Sequence, residues 1–193
     1  MNEVKIVLKG ISPIEFGRAF QTPKEDKESH DAHEQRCWRE RMHVDDYGYV
    51  IHNALAIKNA LQEVARYKSE TIKGKGKSTY TKKFERGVMP TGPIVITDGD
   101  GNRIKAADVA GDTRSVPSDG KAGGGTRVNR TFPIIHDWKA EATLMVIDHL
   151  LTEDLDRVRL YLEDAGQFIG IGSFRPEKRG YFGRFTVERF DVS

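Results

Sequence analysis

Residues 152–190 read TEDLDRVRLYLEDAGQFIGIGSFRPEKRGYFGRFTVERF, and three patterns succeed one another within them. Leu155, Val158, Leu162 and Ala165 recur at helical spacing and, with Leu151, make one apolar face. Thr152 is the expected N-cap, with Glu153 and Asp154 in the first turn, where negative charge favours the helix dipole. Gly166 suits the left-handed position just past a helix end. A glycine-rich run follows, from Phe168-Ile169-Gly170-Ile171-Gly172 onward. From Gly183 to Phe190 the chain alternates again, Phe185 and Val187 against Thr186 and Glu188, as a strand does. Phe190 falls out of phase, which predicts a bulge or an exposed ring.

Outward from this segment the same order repeats. Glu141 to Ile147 reads as the strand before the helix. In the first half, Val4, Ile6 and Leu8 alternate with Lys5, Val7 and Lys9. Asn53 can cap a helix whose apolar face is Ala54, Ile57, Leu61, Val64 and Ala65. Gly74 and Gly76 end it in what reads as a flexible loop. Val88-Met89 and Ile94-Val95-Ile96 suggest a strand interrupted by Pro90 and Pro93, which cannot donate ladder hydrogen bonds. Strand–helix–strand twice over predicts an α+β protein with a ferredoxin-like, RRM-like βαββαβ core. The 193 residues are expected to form a single RRM-like domain over residues 1–193, with long insertions at about 12–46 and 98–130. In the first, residues 25–41 can be helical without a clear apolar stripe, and Asp46-Tyr47-Gly48 reads as a turn. The second is rich in Gly, Asp and basic residues and has room for at most one hairpin. No internal repeat is visible.

Composition narrows the classes. With 37% hydrophobic and 31% charged residues, the chain fits a modest core with polar excursions. No apolar run approaches the roughly 18 residues of a spanning helix, and Met1 to Gly10 lacks a signal-peptide layout. A lone cysteine, Cys37, leaves a reducing, cytoplasmic setting as the expectation. The net charge of +2 hides segregation. Arg66 to Lys83 carries seven Lys or Arg against Glu70, and Arg175 to Arg189 carries five against Glu177 and Glu188. Acids gather between Glu25 and Asp46.

Several patterns imitate chemistry and fail on spacing. Gly76-Lys77-Ser78 resembles the end of a P-loop, but Thr71 stands where its first glycine belongs and the helix precedes the loop. Asp98, Asp100 and Asn102 imitate a calcium loop that lacks its glycine (Arg103) and its bidentate glutamate (Val109). His30, His33 and His43 have no further ligand at zinc spacing. No metal or cofactor is expected, and no nucleophile–base constellation is recognisable.

The basic segments survive this filter. Lys73, Lys75, Lys77, Lys82 and Lys83 are interleaved with Tyr80. Arg175, Lys178, Arg179 and Arg184 are interleaved with Phe174 and Tyr181. Cations offset phosphate charge, and aromatic faces stack bases of any kind. The two segments are expected on one side of the sheet, with Gly170, Gly172, Gly180 and Gly183 letting backbone N–H groups approach phosphates. The competing reading is a structural turn that closes the sheet, with lysines that only solubilise.

Gly170-Ile-Gly-Ser-Phe-Arg-Pro-Glu-Lys-Arg-Gly-Tyr-Phe-Gly-Arg-Phe185 resembles the C-terminal glycine-rich loop of the RAMP superfamily, which leads from the second helix into the last strand. Gly48 to Leu61 resembles that superfamily's other signature, a helix opening Ser-Leu-Lys-Gly. Lys58 matches the lysine; Asn59 replaces the glycine, and His52-Asn53 the usual Pro-Gly. The likeness covers roughly residues 47–67 and 144–190 with the opening strand. It implies an RRM-like, CRISPR-related backbone subunit that coats single-stranded RNA or DNA as repeated copies, with the glycine-rich loop and Lys58 facing the strand. The expected function is therefore sequence-nonspecific single-stranded nucleic-acid binding without catalysis. The alternatives are a RAMP-type ribonuclease, with His30, His33, Asp26 or Asp31 as candidates, and a protein-interaction mimic of a CRISPR backbone subunit.

Overall fold

The structure, a computed structural model, describes residues 1–118 and 126–193. Val4, Ile6 and Leu8 on β1 (Asn2–Gly10) point into the core, and β1 is flanked by β10 (Phe185–Val192) and β9 (Trp138–Val146), both antiparallel. The main sheet continues from β9 to β6 (Ile94–Asp98), then β4 (Val50–His52) and β3 (His43–Val44). A short β5 (Val88–Pro90) pairs with the far end of β9. Pro90 and Pro93 thus split one expected strand into two that share a partner. Helices α2 (Leu55–Lys68) and α5 (Leu155–Phe168) lie across one face. The order β10-β1-β9-β6 with two crossing helices is the α+β, RRM-like arrangement.

The core follows the periodicities. Ile57, Leu61, Val64 and Ala65 of α2 and Val158, Leu162 and Ala165 of α5 are buried against Ala140, Leu144 and Val146 of β9. Each large buried side chain contributes roughly 2–3 kcal/mol. At β10 the register shifts between Val7 and Leu8, so Glu188 is the extra residue. This bulge turns Phe190 back over Ile6, where it packs on the core.

Three local expectations need correction. Asp154, not Thr152, caps α5 by accepting from the Arg157 N–H at 3.1 Å; Thr152 belongs to a separate short helix, α4 (His149–Glu153). Gly166 lies inside α5, where a Cβ would strike the Phe185 carbonyl, and Gly170, at φ +73, takes the left-handed position instead. Lys73 to Lys83 is not one flexible loop, because α3 (Thr81–Gly87) is anchored there by the buried Phe84.

The first insertion contains β2 (Ile14–Glu15) and α1 (His30–Cys37), which a 3-10 turn at Trp38–Arg41 extends. The second contains one long hairpin, β7 (Ala110–Pro117) with β8 (Arg127–Ile135), joined to β2 in a separate sheet. Its middle, residues 119–125, lies outside the described residues. Among the described residues no helix is long and apolar enough to cross a membrane.

Candidate nucleic-acid interface

On the open face of the sheet, β1 presents Lys5, Val7 and Lys9, and β9 presents Lys139, Glu141, Thr143 and Met145. RRM sheets stack bases on aromatic rings at central-strand positions. None stands here, so the open face lacks that platform.

The glycine-rich loop is built against the segment after β1. Ile11 N–H donates to the Arg184 carbonyl at 2.9 Å, Gly183 N–H to Pro13 at 2.7 Å, and Ser173 N–H to Glu15 at 2.7 Å. Ser12 accepts from the Trp138 indole through its carbonyl, while its hydroxyl donates to Tyr181 and accepts from the Arg184 N–H. The glycines serve this closure. Gly170 N–H donates to Ala165 at 2.8 Å and Gly180 N–H to Arg175 at 3.0 Å. Gly170 and Gly183 are buried, and a Cβ on Gly183 would meet the Ile171 carbonyl. The expectation that these glycines present free N–H groups is corrected for Gly170, Gly180 and Gly183, whose donors are already used. Gly172, at φ +84, passes so close to β2 that a Cβ would sit 2.6 Å from the Glu15 oxygen.

What the loop does present is side chains. Phe174 and Tyr181 are 49% and 60% exposed, and with Phe182 they form a cluster at ring distances of 6.2 and 5.8 Å. Arg114 of β7 stands 5.0 Å from Phe174 and pairs with the buried Glu15 carboxylate at 2.6 Å, tying the hairpin to the loop. Beside the cluster is a cleft of about 320 Å³ whose polar lining includes Arg18, His43, His52, Ser173, Arg175 and Lys178. Glu177 holds both Arg175 and Lys178. Arg18, Arg179 and Arg184 make no ion pair among the described residues, and Arg184 Nε is buried without a partner. Arg41 also lines the cleft, but its charge is spent on Glu34 at 2.9 Å and its plane lies over Phe20 and Phe132. Burial pushes the His52 imidazole down to about 4, with His43 and Arg175 adding repulsion; burial and Arg18 lower His43 as well. Lys58 is half-buried one turn into α2 and makes no ion pair among the described residues.

The second basic segment is elsewhere. The glycine-rich loop leaves the C-terminus of α5, whereas Lys83 reaches Asp148, the cap of α4, at 3.2 Å before α5 begins. The 14 residues of α5 separate the two ends by about 21 Å. The structure therefore does not bring Lys73, Lys75, Lys77, Lys82 and Lys83 beside Arg175, Lys178, Arg179 and Arg184. The loop after α2 begins beside the C-terminal turns of α5, where Tyr67 packs on Phe168 and Lys68 pairs with Asp164, and runs to its N-terminus, where Glu70 meets Arg157 and Lys83 meets Asp148. Tyr80, 9% exposed and within 6.3 Å of the Tyr161 ring, is a core residue and offers no face to a base. Its neighbours Lys77, Lys82 and Lys83 line a different cleft, of about 620 Å³.

Arg18, His43 and His52 were not singled out for binding in the sequence, because they come from separate segments that carry no shared motif. Of the sequence's nuclease candidates, His30, Asp31 and His33 share α1 and line one cleft of about 450 Å³ with Glu34 and Arg41, and Asp26 lies outside it. His33 Nε2 is 2.9 Å from the Thr22 carbonyl oxygen, and His30 and Asp31 are exposed. Among the described residues no three His, Cys, Asp or Glu side chains group to hold a metal ion.

No family model matches the chain, and no curated protein matches it in sequence. A solved chain from the "Cryo-EM structure of the Type III-B Cmr-beta bound to cognate target RNA" is similar in fold, with a TM-score of 0.58 at 12% identity over 99% of this chain. This chain spans 60% of the length of that one, and the likeness is one of fold.

Proposed function

We propose that the protein binds single-stranded nucleic acid, RNA or DNA, without reading its sequence, and that copies line up along the strand. The observation that carries the reading is the end of the molecule where exposed Phe174 and Tyr181 adjoin the cleft lined by Arg18, Arg175 and Lys178. Aromatic faces accept any base, and the cations meet phosphates, which carry no sequence information. The RAMP resemblance of the same loop and the fold shared with a chain of an RNA-bound assembly support this reading; a cytoplasmic setting, with Cys37 a free thiol, belongs to the same proposal. Copies on a strand would appear as length-dependent ladders in an electrophoretic shift with RNA, single-stranded DNA and duplex DNA in parallel. Affinity should fall by about 0.7 log unit per log unit of salt for each phosphate contact. Binding that survives a roughly tenfold rise in salt unchanged would sink the idea. Shifts only with a protein partner would favour the mimic.

One observation favours a second reading. The His43 and His52 rings lie 6.3 Å apart in the same cleft, where an acid–base pair could attack RNA. Burial lowers both imidazoles, His52 the more, which disfavours the protonated partner that acid–base cleavage needs. The non-catalytic reading is therefore preferred. Cleavage of labelled RNA that persists in EDTA and disappears in His43→Ala would reverse that preference.

A further inference from the structure

The loop between α2 and α3 is held as a small hairpin. Ile72 is buried, its N–H donates to Ser78 at 2.8 Å, and Lys75 N–H donates back to Ile72 at 3.0 Å. Thr71 and Thr79 form a bridge, and Gly74 and Gly76, at φ +77 and +61, make the exposed tip. Lys73, Lys75 and Lys77 therefore project from a fixed backbone. Between this loop, α3 and the start of α4 lies the cleft of about 620 Å³ lined by Lys77, Ser78, Thr79, Lys82, Lys83 and Arg86. The one carboxylate in its wall, Asp148, is engaged with Lys83. Lys77, Lys82 and Arg86 have no ion pair among the described residues. Converging cations repel one another, and a preorganised concave group of them favours an anion. The Ser78 hydroxyl beside them adds a donor of the kind phosphate oxygens accept, while that of Thr79 donates to Thr81 at 3.2 Å.

No ring lines this cleft: Tyr80 and Phe84 are in the core, and the exposed Tyr67 packs on Phe168 outside it. It can hold a backbone and cannot stack a base. We propose that this cleft is a second phosphate site, taking a separate stretch of polynucleotide backbone while the glycine-rich-loop end grips the first. One molecule would then bridge two strand segments, one held at each end of α5. The inference rests on the nucleic-acid reading above. An acidic patch on another copy is the competing occupant, and the acid-rich segment is a poor one. Its Glu28 is bound to Arg36, Glu34 to Arg41 and Glu40 to Thr22, all within the same chain.

The test uses short uridine oligonucleotides carrying donor or acceptor dyes, mixed with the full chain at low salt. The wild type should bind two oligonucleotides per chain and bring the dyes together. The triple variant Lys77→Ala, Lys82→Ala, Arg86→Ala should keep one binding step and lose the energy transfer. Its second step should weaken by about tenfold to a hundredfold and lose about two units of log–log salt slope. The charge-keeping variant Lys77→Arg, Lys82→Arg, Arg86→Lys should retain both steps, which excludes a folding artefact. A second triple variant, Arg18→Ala, Lys178→Ala, Arg179→Ala, separates the two readings. If it abolishes all binding while the first variant changes nothing, the second cleft is disproved and the loop-end reading stands. If only the first variant weakens binding, the loop-end reading fails and the cleft stands. A first variant that shifts oligomer size in sedimentation without nucleic acid, and leaves both binding steps intact, makes the cleft a protein contact and overturns the proposal.

Discussion

At the glycine-rich-loop end, Phe174 holds a left-handed backbone angle of φ +47 and about half its ring meets solvent; at the α3 end, Tyr80 and Phe84 sit within the core against Tyr161. The backbones differ in the same sense. Around Gly183 the main chain is pressed between Pro13 and Ile171, while the Gly74–Gly76 tip has nothing within 4 Å of where a Cβ would stand. One end spends glycine on close packing so that bulky side chains can face outward. The other spends it on an open turn and buries its rings. Mixed cations and aromatics along a chain thus describe two opposite designs, and only burial tells them apart.

Substituting glycines should produce the largest contrast. Gly183→Ala forces a non-glycine side chain to φ +73 and against a backbone carbonyl, and is expected to cost about 4 kcal/mol or more. Gly76→Ala, also at positive φ but in open space, should cost about 1 kcal/mol. Urea unfolding of both variants measures the gap; equal losses would erase the distinction between the ends.

Acid should distinguish them next. His52 is held at about 4 against an ordinary 6.5, so the unfolded chain takes up its proton first as pH falls. Stability is then lost between about 6.5 and 4, by roughly 3 kcal/mol in all at 1.36 kcal/mol per unit. His52→Asn should flatten the pH profile of unfolding midpoints across that window. Lys77→Ala, at the other end and away from His52, should leave it unchanged.

The smallest effect concerns stacking. Phe174→Ala and Tyr181→Ala should each weaken oligonucleotide binding by about 1–3 kcal/mol with stability nearly constant. Tyr80→Ala should do the reverse, lowering stability while binding at the loop end persists. Fluorescence anisotropy alongside thermal unfolding reads both.

The βαββαβ order was legible because its elements are long enough to show a period: Val4, Ile6 and Leu8, the Ile57–Leu61–Val64 stripe, and Val158–Leu162–Ala165. Even the broken second strand was visible through Pro90 and Pro93. β3, with two residues, and β4, with three, are too short to alternate, and α3 has one apolar anchor, Phe84, amid Lys, Arg and Glu. Gly166 was misread because a residue type does not state its φ. At the site, Phe174, Tyr181 and the arginines could be found from their clustering. Which end they occupy could not, since charge segregation along a sequence carries no information about which end of α5 each loop reaches. Arg18, His43 and His52 meet only after β2 and β4 have taken their places.

The bulge that restores Phe190 to the core has a further effect at the sheet's outer margin. Among the described residues β10 pairs with β1 alone, leaving its other side without a strand in the sheet order. An exposed strand margin of that length invites a neighbour's strand and, eventually, fibres. Here the extra residue interrupts the ladder, and Glu188, Arg189 and Asp191 are exposed along it, Glu188 paired with Lys139 and Arg189 with Asp191. Charged side chains and an interrupted ladder of this kind disfavour edge-to-edge pairing with the strand of a second molecule.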